Sequence, residues 1–209
     1  MPAHIKLFLA SSNPGKLAEY RALVEADAHG VRDELEPRVE IDLLPGFDSL
    51  PSFEEDAPTF AENAAGKALH YSRLAAGVVF ADDSGLVVPA LGGGPGVHSA
   101  RYAGLGATNA ERIAKLLGEL RGKTASERAA YFVCAIAVAQ RGRATAIVTA
   151  RVDGEILETP RGGGGFGNDP VFYFPALKKT FAELLPEEKN RISHRGKAFR
   201  KLLTGLSAQ

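Results

Sequence analysis

"FADDSGLVV", residues 80–88, sets two carboxylates side by side inside an apolar run. Val78, Val79 and Phe80 lead in, and Leu86, Val87 and Val88 lead out. The lead-in has the composition of a buried strand, and Asp82, Asp83, Ser84 and Gly85 read as its end. Two like charges there face mutual repulsion and lost hydration together. Either they are solvated turn residues, or a divalent cation offsets their charge. Mg²⁺ takes one or two carboxylates and fills its other positions with phosphate oxygens and water. The acidic stretch "FEEDAP" (53–58) is then either a further ligand source or a solvated loop.

Upstream, "HIKLFLA" (4–10) reads as a first strand, and "LAEYRALVEA" carries Leu17, Tyr20, Leu23 and Val24 at helical spacing. Between them "SSNPGK" makes Asn13 the N-cap and Pro14 the first helical residue. A strand, a short polar loop and a helix start gather free backbone N–H groups, hydroxyls and Lys16 at one point, which suits phosphate. The alternative is a capped helix with a solvated lysine. It is not a G-x-x-x-x-G-K-[ST] loop, because Leu17 follows Lys16 and no glycine stands at the required distance before it. Residues 30–58 show little periodicity beyond a short strand near "VEIDLL".

Thr59, Thr108 and Thr180 each precede a glutamate by three residues, the T-x-x-E signature of a helix start. The first predicts a helix to about Ala76 closed by Gly77, with Asn63 and Lys67 on one face, where Lys67 either reaches a phosphate or is merely exposed. The second predicts an amphipathic helix with Ile113, Leu116, Leu117 and Leu120 inward. Residues 129–139 and 144–152, joined by "QRGRA", read as a long hairpin. "GGGGFGNDP" (162–170) is a flexible loop before the short strand "VFYF", and a helix from about Ser193 buries Phe199, Leu202 and Leu203. Parallel units beside an antiparallel hairpin make a mixed α/β sheet flanked by helices.

Lysine plus arginine equals aspartate plus glutamate at 25 each over 209 residues, a balance that argues against a general nucleic-acid or membrane-surface binder. Cys134 is the only cysteine, so no intrachain disulfide or thiolate zinc cluster forms, and in "YFVCAIAVA" it reads as a small buried hydrophobe. His4, His29, His70 and His98 show no metal-ligand spacing. No signal peptide opens the chain and no stretch approaches the ~20 apolar residues of a membrane span, so the expected location is cytoplasmic. Phe166 among glycines is an odd loop residue unless its ring packs on something, such as a nucleobase. Lys189, His194, Arg195 and Lys197 in "EEKNRISHRGK" form a local basic group.

Together "LASSNPGK", "TFAENAAGKA", "ADDSGL", "LGGGPGVHSARYAG", "GGFGNDPVF" and "EEKNRISHRGKA" resemble, in order and spacing, the inosine triphosphate pyrophosphatase family. The resemblance implies one domain over 1–209 with two intimate lobes around a central cleft, working as a homodimer. It implies Mg²⁺-dependent hydrolysis of ITP, dITP and XTP to the monophosphate and pyrophosphate. Ser11, Ser12, Asn13, Pro14, Gly15 and Lys16 would grip the triphosphate, with Lys67. Asp83 would be general base and metal ligand, Glu55 a second metal ligand and Ser84 a substrate contact. Phe166, Gly167, Asn168 and Asp169 would form the base-pocket loop, and Lys189, His194 and Arg195 would close over base and phosphates. This chain departs from the family in Asn168, where tyrosine is common, and in Ser11–Ser12, where Thr-Gly is frequent. An aspartyl-phosphate phosphatase would want D-x-D at the strand end, which "DDSG" lacks; a non-catalytic nucleotide-binding module is the other competing reading.

Overall fold

Residues 4–28 and 38–207 are described by a computed structural model of the chain; His29 lies outside them. The acidic stretch does not end its strand. β3 (Val78–Val87) runs straight through Asp82–Gly85. It pairs antiparallel with β4 (Ala129–Gln140) along its whole length, from Val78 opposite Gln140 to Val87 opposite Tyr131. What ends is its other neighbour. β1 (His4–Leu9) runs parallel to β3 only over Val78–Phe80, and the last bond between the two segments goes from Ala10 N–H to the Phe80 carbonyl at 2.9 Å. Past Phe80 that edge of β3 has no strand neighbour until the Val87–Pro95 bridge near its end.

The sheet has seven strands in the order β2-β1-β3-β4-β5-β6-β7. β2 (Arg38–Leu43) lies parallel to β1, and β5 (Arg143–Ile156), β6 (Phe172–Phe174) and β7 (Lys179–Thr180) continue antiparallel. This is the mixed α/β sheet expected. β4 and β5 meet at Arg141–Gly142, both at positive φ (50° and 73°), the hand of a two-residue turn that matches strand twist.

Side chains alternate across a strand, so adjacent β3 residues meet different neighbours. Phe80 packs with Tyr20 and Leu23 of α1 (Pro14–Ala28) and with Phe199 and Leu202 of α5 (His194–Ser207). Val79 and Ala81 pack on the other face with Ala64 and Ala68 of α2 (Phe60–Leu74), beside Ala135, Ala137 and Ala139 of β4. These small residues let α2 lie close to the sheet, which carries Asn63 and Lys67 down onto the open edge. A third cluster joins Leu86, Val88, Phe132, Phe172 and Phe181 to Ile113 and Leu116 of α3 (Asn109–Glu119) and to Leu120, which caps it.

Local signals hold with three corrections. Thr108 and Glu111 form a full capping box, whereas α2 stops at Leu74, before the expected Ala76. Thr180 and Glu183 cap only a 3₁₀ turn, Phe181–Glu183. Pro186 disfavours helical geometry at Leu185, and α4 (Pro186–Ile192) starts afresh there. Leu117 and Leu203 are only partly buried. Among the described residues no helix is long and apolar enough to cross a membrane.

Gly85 is required by close approach. A Cβ there would stand 2.4 Å from Ser99 Oγ and 2.5 Å from the Gly96 carbonyl oxygen. Ser99 Oγ is fixed, accepting from Leu86 N–H at 3.0 Å and donating to Gly96 O at 2.6 Å. Gly85→Ala is therefore expected to lower stability by about 1–3 kcal/mol, read as a fall in urea midpoint at unchanged m-value.

Candidate active site

Where β1 has stopped, residues from both faces of the sheet reach a common cavity of about 670 Å³. The β1–α1 loop contributes Ser11, Ser12 and Asn13, and the first turn of α1 contributes Lys16. Lys67 comes from α2 and Asp83 and Ser84 from β3, with Glu55 from the loop before α2. Phe166, Gly167, Asn168 and Asp169 close the far end with Lys189, His194 and Arg195. Of the residues expected from sequence, Pro14 faces a neighbouring cavity, and Gly15 lines neither.

The loop at the head of α1 is more self-contained than expected. Asn13 Oδ1 accepts from Gly15 N–H at 2.9 Å and from Lys16 N–H at 3.4 Å, and Ser11 Oγ accepts from Asn13 N–H at 3.2 Å. These amides are not free for an anion; the Lys16 ammonium and the serine hydroxyls remain its main donors here.

Asp82 and Asp83 point to opposite faces. Asp82 is fully buried on the α1/α5 side. Lys16 Nζ lies 2.9 Å from its Oδ1, Arg195 Nε is 3.4 Å from Oδ2, and Ser84 Oγ donates to Oδ2 at 2.8 Å. Burial pushes the Asp82 carboxyl upward, but the charges of Lys16, Arg195 and Lys67 outweigh it and hold the group well below the usual carboxylate range. Its carbonyl, on the open strand edge, accepts from Lys67 Nζ at 2.8 Å and Lys16 Nζ at 3.3 Å. A carboxylate so enclosed is poorly placed as the nucleophile of an aspartyl-phosphate enzyme.

Asp83 faces the cavity on the α2 side, where Asn63 Nδ2 donates to its Oδ2 at 2.9 Å. Burial, and then the charge of Glu55, raise its carboxyl to about 6 against the Asn63 hydrogen bond and the charges of Lys16 and Lys67. Glu55 is itself paired with Lys67, and its backbone carbonyl accepts from Arg101 Nη2 at 2.6 Å. Among the described residues no group of three or more His, Cys, Asp or Glu side chains forms a metal-ligating cluster. Asp169 is committed to Lys189 Nζ (2.7 Å) and Phe166 N–H (2.8 Å). Asp83, whose hydrogen-bond partner is a neutral amide, is the donor most available to a hard cation, and Glu55 could join it by sharing its carboxylate with Lys67.

At the far end Phe166 lies beneath two cations, with Lys189 Nζ 4.8 Å and the Arg195 guanidinium 5.5 Å from its ring centroid. His194 stacks on Phe132, centroids 4.7 Å apart and planes within 14°. Burial, together with Arg195 and Lys189, holds His194 well below the usual histidine range, so the ring is neutral at pH 7. Its Nδ1 and the Asn168 Oδ1 are buried without a hydrogen-bond partner among the described residues. Cys134 is a buried small side chain as expected, its thiol pushed up to about 11 by burial.

The sequence pattern of the Ham1 family matches residues 7–205. This chain belongs to that family. It is 53% identical over 197 residues to a protein of Geobacillus kaustophilus (strain HTA426) described as a dITP/XTP pyrophosphatase, covering 94% of this chain and 92% of that one. A solved HAM1 protein from Coxiella burnetii superposes with a TM-score of 0.82 at 42% identity, covering 98% of this chain and 100% of the other. The Staphylococcus aureus Ham1 protein does so at 0.81 and 35% identity, covering 97% and 98%. The family resemblance read from the motifs is therefore correct.

Sequence reasoning missed Glu19 and Phe132. Glu19, on α1, pairs with both Lys189 and Arg195, and their charges hold its carboxyl below the usual range despite burial. Its only local signal is an acid one turn after Lys16. Phe132 reads as plain hairpin core.

A carboxyl raised in the folded state carries a stability cost. Asp83 binds a proton more tightly folded than unfolded, so its contribution falls as pH rises from about 4 through about 6. In metal-free buffer at pH 8, Asp83→Asn is expected to be more stable than wild type by about 2 kcal/mol, or about 4–8 °C in melting temperature. The gain should vanish below about pH 4, where both states carry the acid form.

Proposed function

We propose that this chain hydrolyses non-standard purine nucleoside triphosphates, ITP, dITP and XTP, to the monophosphate and pyrophosphate. The observation that carries the reading is the meeting of Asp83, Lys16 and Lys67 with the Phe166–Asp169 loop around one cavity at the open edge of β3. Membership of the Ham1 family and the names carried by its relatives support it.

In this reading the triphosphate lies against Ser11, Ser12, Lys16 and Lys67, and the purine against Phe166, with His194, Arg195 and Lys189 around it. Asp83 takes a proton from a water whose oxygen attacks the α-phosphorus. The bond from that phosphorus to the bridging oxygen breaks, and pyrophosphate leaves with the bond's electrons. Lys16 and Lys67 meet the charge that develops on the leaving group, the main catalytic task in such transfers. Mg²⁺ fits the Glu55 and Asp83 pair, where burial and then the Glu55 charge lift Asp83, and when bound it would neutralise polyphosphate charge. The same reading takes the chain as one two-lobed domain, a cytoplasmic homodimer acting on free nucleotides.

Selectivity rests on the purine edge. Hypoxanthine and xanthine carry an acceptor oxygen at position 6, where adenine carries an amino donor. Arg195 and loop N–H groups offer donors, and a mispaired buried polar group costs ~1–3 kcal/mol. Turnover of ITP is expected to exceed that of ATP by about 100-fold in kcat/KM, measured as Mg²⁺-dependent pyrophosphate release with orthophosphate assayed separately. Comparable rates on both would refute the reading, and binding of ITP without pyrophosphate release would favour a non-catalytic module. Asp83→Asn should lose most turnover while staying folded. In wild type kcat/KM should rise with pH as the Asp83 base form appears, with a midpoint below the metal-free value of about 6 because a bound cation favours the carboxylate.

A further inference from the structure

Asp82 lies behind the cavity wall rather than in it: it is fully buried, and the cavity is lined by its neighbours Asp83 and Ser84. Its one carboxylate divides between two cations that do line the cavity. Oδ1 stands 2.9 Å from Lys16 Nζ, at the head of α1, and Oδ2 stands 3.4 Å from both Nε and Nη2 of Arg195, at the start of α5. Ser84 Oγ ties the same Oδ2 and accepts from Arg195 Nη2 at 3.1 Å. Arg195 Nη1 is taken by Glu19, which also holds Lys189. Fixed charges thus run without interruption from the loop facing the polyphosphate to the loop facing the base.

We propose that Asp82 is a positioning residue that yokes the two ends of the cavity, fixing Lys16 and Arg195 relative to each other through one buried carboxylate. The proposal rests on the pyrophosphatase reading for the identity of the two ends. Asp82 touches no reacting atom; it acts through the two cations. It also competes with a bound polyanion for Lys16, which gives the role a signature that simple damage to the fold does not share. Without this carboxylate Lys16 loses the direct competitor of a bound polyanion, so polyphosphate binds more tightly, while the displaced cations serve turnover and base choice poorly.

The test compares wild type, Asp82→Asn and Glu19→Gln, with folding checked by thermal melting. Inorganic triphosphate, which has no base, is titrated by calorimetry, and kcat and KM are measured on ITP and ATP. For Asp82→Asn the expected result is about threefold tighter triphosphate binding, with kcat on ITP down about 100-fold and the ITP-to-ATP ratio in kcat/KM down about tenfold. Parallel loss of triphosphate affinity and turnover would mark a structural role and overturn the yoke, as would wild-type kcat and ratio. Glu19→Gln loosens Arg195 and Lys189 without touching Lys16. Its ITP-to-ATP ratio should fall about fivefold with triphosphate affinity within about twofold of wild type, and weakened triphosphate binding there would overturn the proposal even if Asp82→Asn did not fold. Wild type that binds triphosphate but releases no pyrophosphate from ITP would refute the reaction instead, and the two variants' triphosphate affinities would then decide the yoke alone.

Discussion

β1 ends while β3 goes on, and the site depends on that mismatch. A central strand normally spends its carbonyls and amides on two neighbours. β3 has β4 throughout but β1 only as far as Phe80, so beyond that point one edge must find other partners. The Asp82 carbonyl finds two lysines, one from the helix that follows β1 and one from α2. The gap in the sheet is therefore also where both helical layers can reach the same space. Ligand sites at strand carboxyl ends in α/β sheets arise from the same geometry; here the strand that ends is β1, and β3 supplies the wall.

The two adjacent acids are tolerated because the pleat separates them. Strand alternation sends Asp82 to the α1/α5 side and Asp83 to the α2 side, so their environments diverge despite a shared peptide bond. Asp82 is enclosed by cations and held ionised, whereas Asp83 is raised by burial and then by the charge of Glu55, against the hydrogen bond from the Asn63 amide. Pairs of titratable groups driven apart in this way mark divided roles in proton chemistry. One acid organises charge and the other is left with its carboxyl raised to about 6.

Much of the frame was legible locally. Asn13–Pro14 announces α1, the Thr108 capping box announces α3, and the apolar runs of the hairpin announce β4 and β5, because each signal lies within a few residues of the element it governs. The strand through Asp82–Gly85 was misread because serine and glycine inside an apolar run look like a break. Gly85 instead permits the close approach of the Gly96–Ser99 turn, which only the folded chain brings there. Pro186 was visible, but its consequence for the Thr180 signal needed the extended geometry of Leu185. Most of the site residues could be named through motif order. Their pairings could not: Glu19 and Lys189 stand 170 positions apart, and no periodicity links an acid on the first helix to a lysine near the end.

In the proposed reading, the contacts at the Phe166 end of the cavity order that end before a ligand arrives. A neutral imidazole stacked on Phe132, two cations over Phe166 and an aspartate tied to the Phe166 amide leave few free rotations at that end. A purine that matched this arrangement would not have to order it, so less of its binding energy would go into immobilising side chains. One that presented a donor where the site presents donors would gain nothing by rearrangement, since Arg195 is already held by Asp82, Ser84 and Glu19. A loose arginine could turn aside and accept either base. In the proposed reading an arginine held from three sides discriminates, through partners that never touch the ligand.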